Sequence, residues 1–397
     1  MKRIVGVFLF LVVLTLPTMA VSPRVTKVAN QAMLFAAEQY SFMAGELKDK
    51  AGRLPKSTDK DGNLTTSDAK WWCSGFFPGT LWYLFEYKQD LALRHEAVYY
   101  SERVAGEQYT TDNHDVGFMI YCSYGNAQRL EPSEAYKKII LTTARSLSTR
   151  FKQKTGLIRS WDWGKWQYPV IIDNMMNLEL LFNATKLSGD SSFYKIAIAH
   201  ADNTMKNHFR EDASCYHVVS YDSITGVAQS KGTFQGFSDS SSWARGQAWA
   251  LYGYTMVYRE TKDLRYLQHA QKIANFLLKH PRMPKDMIPY WDFDAPNIPE
   301  AKRDASAAAV ICSALIELST FVNKKDAKMY MKAVDKQIVT LSSPSYRANL
   351  GENGGFILKH SVGSFPHKSE VDVPLTYADY YYIEALQRYL KLGEKKK

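Results

Sequence analysis

In six stretches of this chain apolar residues run almost without interruption around the whole of a helical turn: roughly 78–87, 115–130, 173–187, 244–260, 304–320 and 377–390. The 304–320 stretch, DASAAAVICSALIELST, has a single charge after its first residue, Glu317, and the 244–260 stretch, ARGQAWALYGYTMVYRE, has none between Arg245 and Arg259. A helix that is apolar on every side is buried on every side. Ordinary amphipathic stretches with one charged face lie between them, at roughly 25–48, 91–107, 133–152, 191–208, 263–280 and 324–341. Turn signals such as Ser188-Gly189-Asp190 mark the breaks.

Alternation of an amphipathic with a fully apolar helix, six times over, is an internal repeat of helical hairpins. If consecutive helices run antiparallel, all the apolar helices point the same way and the amphipathic ones surround them. An open stack of such repeats needs polar caps at its ends, whereas the last segment, YADYYYIEALQRYL, is apolar and aromatic. The expected fold is therefore all-α, a closed double ring of twelve helices: an (α/α)6 barrel. The amino ends of the inner helices then converge at one end, where their free N–H groups favour an anionic ligand.

The first twenty residues stand apart from this pattern. MKRIVGVFLFLVVLTLPTMA has a basic start, an apolar core from Ile4 to Leu16 and small residues before Ala20. That is the pattern of a secretory signal peptide, too short in its apolar part to span a bilayer. The expectation is an exported protein, free of the membrane after cleavage, with residues 21–397 forming one barrel domain. Of the formal charge of +10, Lys2 and Arg3 carry two and Lys395-Lys396-Lys397 three, so the remainder is nearer +5. No basic run stands out, which argues against nucleic acid and is compatible with an anionic substrate. Cys73, Cys122, Cys215 and Cys312 are widely spaced and form no CxxC or Cys/His cluster. No metal or cofactor is indicated, and four buried thiols are preferred to disulfides.

The segments leading into the inner helices carry the unusual chemistry: Trp71-Trp72-Cys73-Ser74-Gly75, Asn113-His114-Asp115, Ile172-Asp173-Asn174, Ser242-Trp243-Ala244-Arg245, Arg303-Asp304 and Tyr377-Ala378-Asp379. Asp at such a place is also a favoured helix cap. Asp115 and Asp173 differ in their company of Trp, Arg, His and Gln on neighbouring repeats. Aromatic faces with a polar edge, from Trp71, Trp72, Trp161, Trp163, Trp166, Trp243, Trp249 and Trp291, suit the apolar face of a sugar ring. Two carboxylates in an aromatic cleft suggest chemistry at a sugar, one of them kept protonated as a general acid. Arg245 is a candidate for a substrate carboxylate or for a tie between helices, and His217 for a hydrogen bond to substrate. The late loop Lys359–Lys368, with Ser364 and Lys368, has the N–H, hydroxyl and ammonium groups that hold a sulfate.

Six pieces in order, WCSGFFPG, NHDVGF, IIDNMMNLELL, HVVSYDSITG, FQGFSDSSSWARGQAWALYG and YADYYYIEAL, resemble the unsaturated glucuronyl hydrolases, glycoside hydrolase family 88, from about Val25 to Leu392. The resemblance implies an (α/α)6 barrel. It also implies a substrate left by a polysaccharide lyase, an anionic oligosaccharide, sulfated or not, that ends in a Δ4,5-unsaturated uronic acid. A carboxylic acid protonates C4 of the enol ether, water adds at C5, and the resulting hemiketal opens to release the rest of the sugar. By position Asp173 would be the acid/base and Asp115 a second carboxylate that tunes it. Trp72 and Trp249 match stacking positions, and His217, Gln235 and Arg245 match residues that contact the unsaturated sugar. Phe234 departs from the pattern, since many members have His before this glutamine. The expected activity is removal of the unsaturated uronic acid from glycosaminoglycan oligosaccharides. The alternatives are the same chemistry on pectin fragments, a non-catalytic sugar-binding barrel, and an ordinary two-carboxylate glycosidase.

Overall fold

The computed structural model describes residues 21–394; the signal-like segment at residues 1–20 lies outside them. Twelve α-helices and one π-helix segment supply the two rings. The outer ring is α1 (Pro23–Leu47), α3 (Leu91–Val104), α5 (Glu134–Ser148), α7 (Ser191–Asn207), α9 (Leu264–Lys279) and α11 (Lys324–Leu341). The inner ring is α2 (Phe76–Lys88), a π-helix over Gly117–Gly125 that continues into α4 (Asn126–Leu130), α6 (Asn174–Ser188), α8 (Ala244–Thr261), α10 (Ala305–Ser319) and α12 (Thr376–Glu394). Inner neighbours pack in succession, α2 on the π-helix, then α6, α8, α10 and α12, and α12 returns to α2. The ring is closed, as the aromatic last segment requires.

Burial follows the sequence pattern. Every residue of α10 except Glu317 is buried, as is α8 from Ala244 to Val257. The alanines of α10 let it lie close against both α8 and α12. All four cysteines are buried and free. Among the described residues no helix is long and apolar enough to cross a membrane.

One inner element differs from expectation. Residues 115–130 were expected as a single buried α-helix, and most of that stretch is a π-helix. The cause is local crowding. Asn177 Oδ1 accepts the Phe118 N–H at 3.0 Å, and a Cβ on Gly117 would lie 2.4 Å from that same oxygen. The Phe118 carbonyl in turn lies where a Cβ on Gly75 would be, 2.1 Å away. Drawing the backbone toward α6 and α2 widens the helix, a distortion common beside functional sites.

Short strands decorate the ends of the barrel. β1 (Leu54–Thr58) pairs with β2 (Leu64–Ser67), and β3 (Phe151–Lys152) with β4 (Leu157–Ile158). β5 (Pro169–Ile171), β6 (Val218–Tyr221) and β7 (Ala228–Gly232) form an antiparallel three-stranded sheet, and β8 (Ser361–Ser364) pairs with β9 (Ser369–Val373). Their brief alternation was masked in the sequence by the helical pattern around them.

Candidate active site

The helix starts separate two kinds of aspartate. Five of the six outer helices are capped conventionally: Asp90, Ser133, Asp190, Asp263 and Asn323 each accept an N–H of the first turn. Asp304 does the same for α10, accepting from Ser306 N at 3.0 Å. Asp173 holds the equivalent place on α6 yet makes no cap hydrogen bond, and its Oδ2 has no partner although the residue is only 7% exposed. A carboxylate that neither caps nor pairs is available for chemistry.

Asp173 and Asp115 line one pocket of about 330 Å³ together with His114, Trp71, Trp72, Trp161, Trp163, Phe234, Gln235, Ser364, Glu370 and Tyr377. These come from segments before four inner helices, from the first turn of α12 and from the β8–β9 hairpin, so the amino ends do meet at one end of the barrel. Burial pushes Asp173 up to about 7, with the Asp115 charge adding to it and Arg245 and the Trp249 indole opposing. Burial raises Asp115 to about 7 as well, against the lowering effects of Asn177 and Arg150. The Asp115 charge contributes to raising Asp173, so the two carboxyls titrate as interacting groups.

Two histidines attend the pair. His217 Nδ1 accepts the backbone N–H groups of Phe234 and Gln235 at 3.1 and 3.2 Å, so its proton resides on Nε2. That nitrogen faces Asp173 Oδ2 at 3.6 Å. Burial, assisted by Arg245, holds His217 well below the ordinary histidine range, so it is a neutral donor. His114 Nε2 lies 3.5 Å from Asp115 Oδ1 and is pushed by burial down to about 3. Neither imidazole supplies a positive charge that would keep its aspartate ionised.

The aromatic walls are continuous. Trp161 and Trp163 stack at 4.8 Å, and Phe234 closes on both. Trp163 is 54% exposed and so offers a free ring face. Trp72 sits opposite, against Phe118 and Tyr377. Phe234 is therefore part of a wall, and Gln235, freed from that neighbour, donates from Nε2 to Gly363 O at 3.0 Å.

Three sequence candidates stand elsewhere. Arg245, 1% exposed, spends its fork on Asp304 Oδ2 at 3.3 Å, on Gly363 O at 2.6 Å and on Val362 O. It ties α8 to α10 and β8 and reaches the carboxylates through its field. Trp249 is fully buried among Phe118, Tyr381 and Tyr377, so it has no ring face to stack on a sugar. Lys368 turns into a neighbouring cavity with Trp291 and Phe365, leaving Ser364, bonded to His367 Nδ1 at 2.7 Å, as the loop's contribution to the pocket. Conversely, Glu370 and Tyr377 line the pocket without having been singled out as site residues. Tyr377 carried a signal, as the first residue of an inner-helix segment; Glu370, in a short strand, carried none. Among the described residues no group of three or more His, Cys, Asp or Glu is placed to hold a metal.

Residues 47–393 match Glycosyl Hydrolase Family 88. An unsaturated glucuronyl hydrolase of Formosa agariphila is 47% identical over 323 residues, 81% of this chain and 80% of that protein. An unsaturated chondroitin disaccharide hydrolase of Streptococcus pneumoniae is 34% identical, over 85% of this chain and 86% of its own length. The crystal structure of an unsaturated glucuronyl hydrolase specific for heparin superposes with a TM-score of 0.88 at 47% identity, covering 93% of this chain and 98% of that one. The chain is a glycoside hydrolase and belongs to glycosyl hydrolase family 88.

Proposed function

We propose that this enzyme removes the Δ4,5-unsaturated uronic acid from the end of glycosaminoglycan oligosaccharides produced by a lyase. The observation that carries this reading is the pair Asp115 and Asp173, both raised to about 7 in an aromatic pocket of roughly one or two sugar rings. The names of its relatives, one specific for heparin and another for chondroitin disaccharides, point to the same class.

Asp173, protonated, delivers its proton to C4 of the enol ether, and positive charge develops at C5 and the ring oxygen. The carboxylate left on Asp173 then takes a proton from the water that adds at C5, which restores the acid. The hemiketal opens and the leaving sugar departs. Burial, helped by the Asp115 charge, keeps Asp173 protonated, and the neutral His217, whose Nε2 stands 3.6 Å from Oδ2, adds no positive charge that would ionise it. A sulfated sugar is accommodated where Ser364 and His367 border the pocket. Residues 1–20 direct export, which mass spectrometry of the mature amino terminus would check.

The test is loss of the ultraviolet absorbance of the C4=C5 double bond on unsaturated glycosaminoglycan disaccharides and on unsaturated pectin disaccharides. Turnover of the former is expected; activity confined to the pectin products overturns the substrate class, and cleavage of saturated glycosides overturns the mechanism.

A further inference from the structure

Glu370 is a third carboxylate in the pocket, and the mechanism has no use for it. Its side chain is 14% exposed, and Oε1 has no hydrogen-bond partner. The nearest cation, Lys56 Nζ, is 3.7 Å away and is itself seated over the Trp71 ring at 4.1 Å. Burial pushes the Glu370 carboxyl up, while Lys56 and Arg245 draw it down.

The placement of this side chain is built into the hairpin. Lys368, Glu370 and Asp372 all have positive φ, at 51°, 55° and 62°, conformations that non-glycine residues keep only where the surrounding structure holds them. Strand pairing through Ser364–Ser369 and Val362–Val371 holds that geometry. Opposite Glu370 stands Gly363, where a Cβ would lie 2.6 Å from Oε2, so the carboxylate rests across a backbone with no side chain. The other strand carboxylate, Asp372, is fully engaged with His360 Nδ1 at 2.6 Å and Lys302 Nζ at 2.7 Å. One acid of the strand is therefore neutralised outside the pocket, and the other faces into it with an acceptor oxygen unspent.

We propose that Glu370 forms a selectivity subsite that accepts a hydrogen bond from a free hydroxyl or ammonium group of the bound sugar and rejects a sulfate at the same position. The inference rests on the reading of this pocket as the site of the unsaturated oligosaccharide. A donor there gains a charge-assisted hydrogen bond. A sulfate meets a fixed, poorly solvated carboxylate within a pocket that already holds Asp115 and Asp173, a like-charge encounter of the kind that dominates specificity. Sulfate is tolerated on the Ser364–His367 side and excluded on the Lys56–Glu370 side.

The experiment compares kcat/KM for an unsulfated unsaturated disaccharide and its isomers sulfated singly at each available hydroxyl or amine. With the wild-type enzyme at least one sulfated isomer falls about tenfold or more below its parent. Glu370→Gln, nearly isosteric and uncharged, narrows that gap about tenfold and leaves the ratios for the other isomers unchanged. Lys56→Met removes the partial counter-charge and widens the same gap, so it carries the test if the first variant does not fold. Calorimetric binding of the same panel to Asp173→Asn, with and without Glu370→Gln, reads the selectivity without turnover. Ratios that do not respond to Glu370→Gln in binding or in rate overturn the proposal even when the parent is hydrolysed. Failure to hydrolyse the parent overturns the functional reading, and the binding ratios then decide the subsite alone.

Discussion

The two ends of the barrel both bury carboxylates, and they treat them in opposite ways. At the carboxyl ends of the inner helices a cavity of about 710 Å³ is lined by Glu179, Glu260 and Glu384 together with Arg129, Arg259, Arg388 and Lys391. Arg259 bonds Glu179, Glu260 and Glu317, while Arg388 reaches Glu317 at 3.1 Å and Glu384 at 3.3 Å. Burial pushes Glu317 up, but Arg388 and Arg259 more than offset it, and its carboxyl ends below the ordinary range. Glu179 ends raised, through burial, with Arg259 opposing and the neighbouring Glu384 and Glu317 charges adding to it. At the amino end Asp115 and Asp173 have neutral histidines in place of guanidiniums, and both rise to about 7. Burial that lacks a paired cation therefore holds Asp115 and Asp173 near neutrality, as an acid catalyst requires, whereas the guanidiniums at the other end draw Glu260 and Glu317 down.

The contrast can be broken at either end. The largest effect is expected from Asp173→Asn, which should lower kcat about 10²–10⁴-fold while an unsaturated disaccharide still binds, as read by absorbance and calorimetry. Turnover near the wild-type rate would remove Asp173 from the acid role. At the other end Arg259→Met leaves three carboxylates without their shared guanidinium. Denaturant unfolding should show a loss of about 3–5 kcal/mol, with kcat per folded molecule unchanged.

A third test concerns the sign of the pH dependence. Because Asp173 rises from 3.8 to about 7 on folding, its ionisation is a penalty that is absent below the unfolded value and complete above about 7. Asp173→Asn should therefore raise stability increasingly as pH climbs through that window, by up to about 4 kcal/mol above it, with no gain at pH below about 4. By the same argument kcat of the wild-type enzyme should fall as pH rises through about 7, when the acid loses its proton. The smallest effect is expected at an aspartate that does cap. Asp190→Ala on α7 gives up the bond to Ser192 N, and should lower the denaturant midpoint slightly with activity intact.

The alternating apolar pattern was enough to place both rings, because a helix buried on all sides has a local signature and six hairpins, each with one such helix, close in few ways. It was also enough to place Asp115 and Asp173 at the ends of inner helices. It could not separate Asp173 from Asp304, since both precede apolar helices. The difference is a hydrogen bond to Ser306 that one makes and the other lacks a counterpart for. Nor could it find the π-helix, which depends on an Asn177 side chain from the next repeat.

What the sequence determined alone is the ring, its closure, the end where chemistry collects and the candidate carboxylates, because each rests on a pattern read along the chain from one repeat to the next. What only the tertiary structure decided is how side chains from distant repeats share one pocket. The Arg245 fork is consumed by carbonyls of β8, Trp249 is walled in by α12 and the π-helix, and Glu370 reaches the pocket from β9 across Gly363. Hydrogen-bond saturation, burial and charge pairing are sums over neighbours brought together by ring closure, and a linear sequence does not name those neighbours.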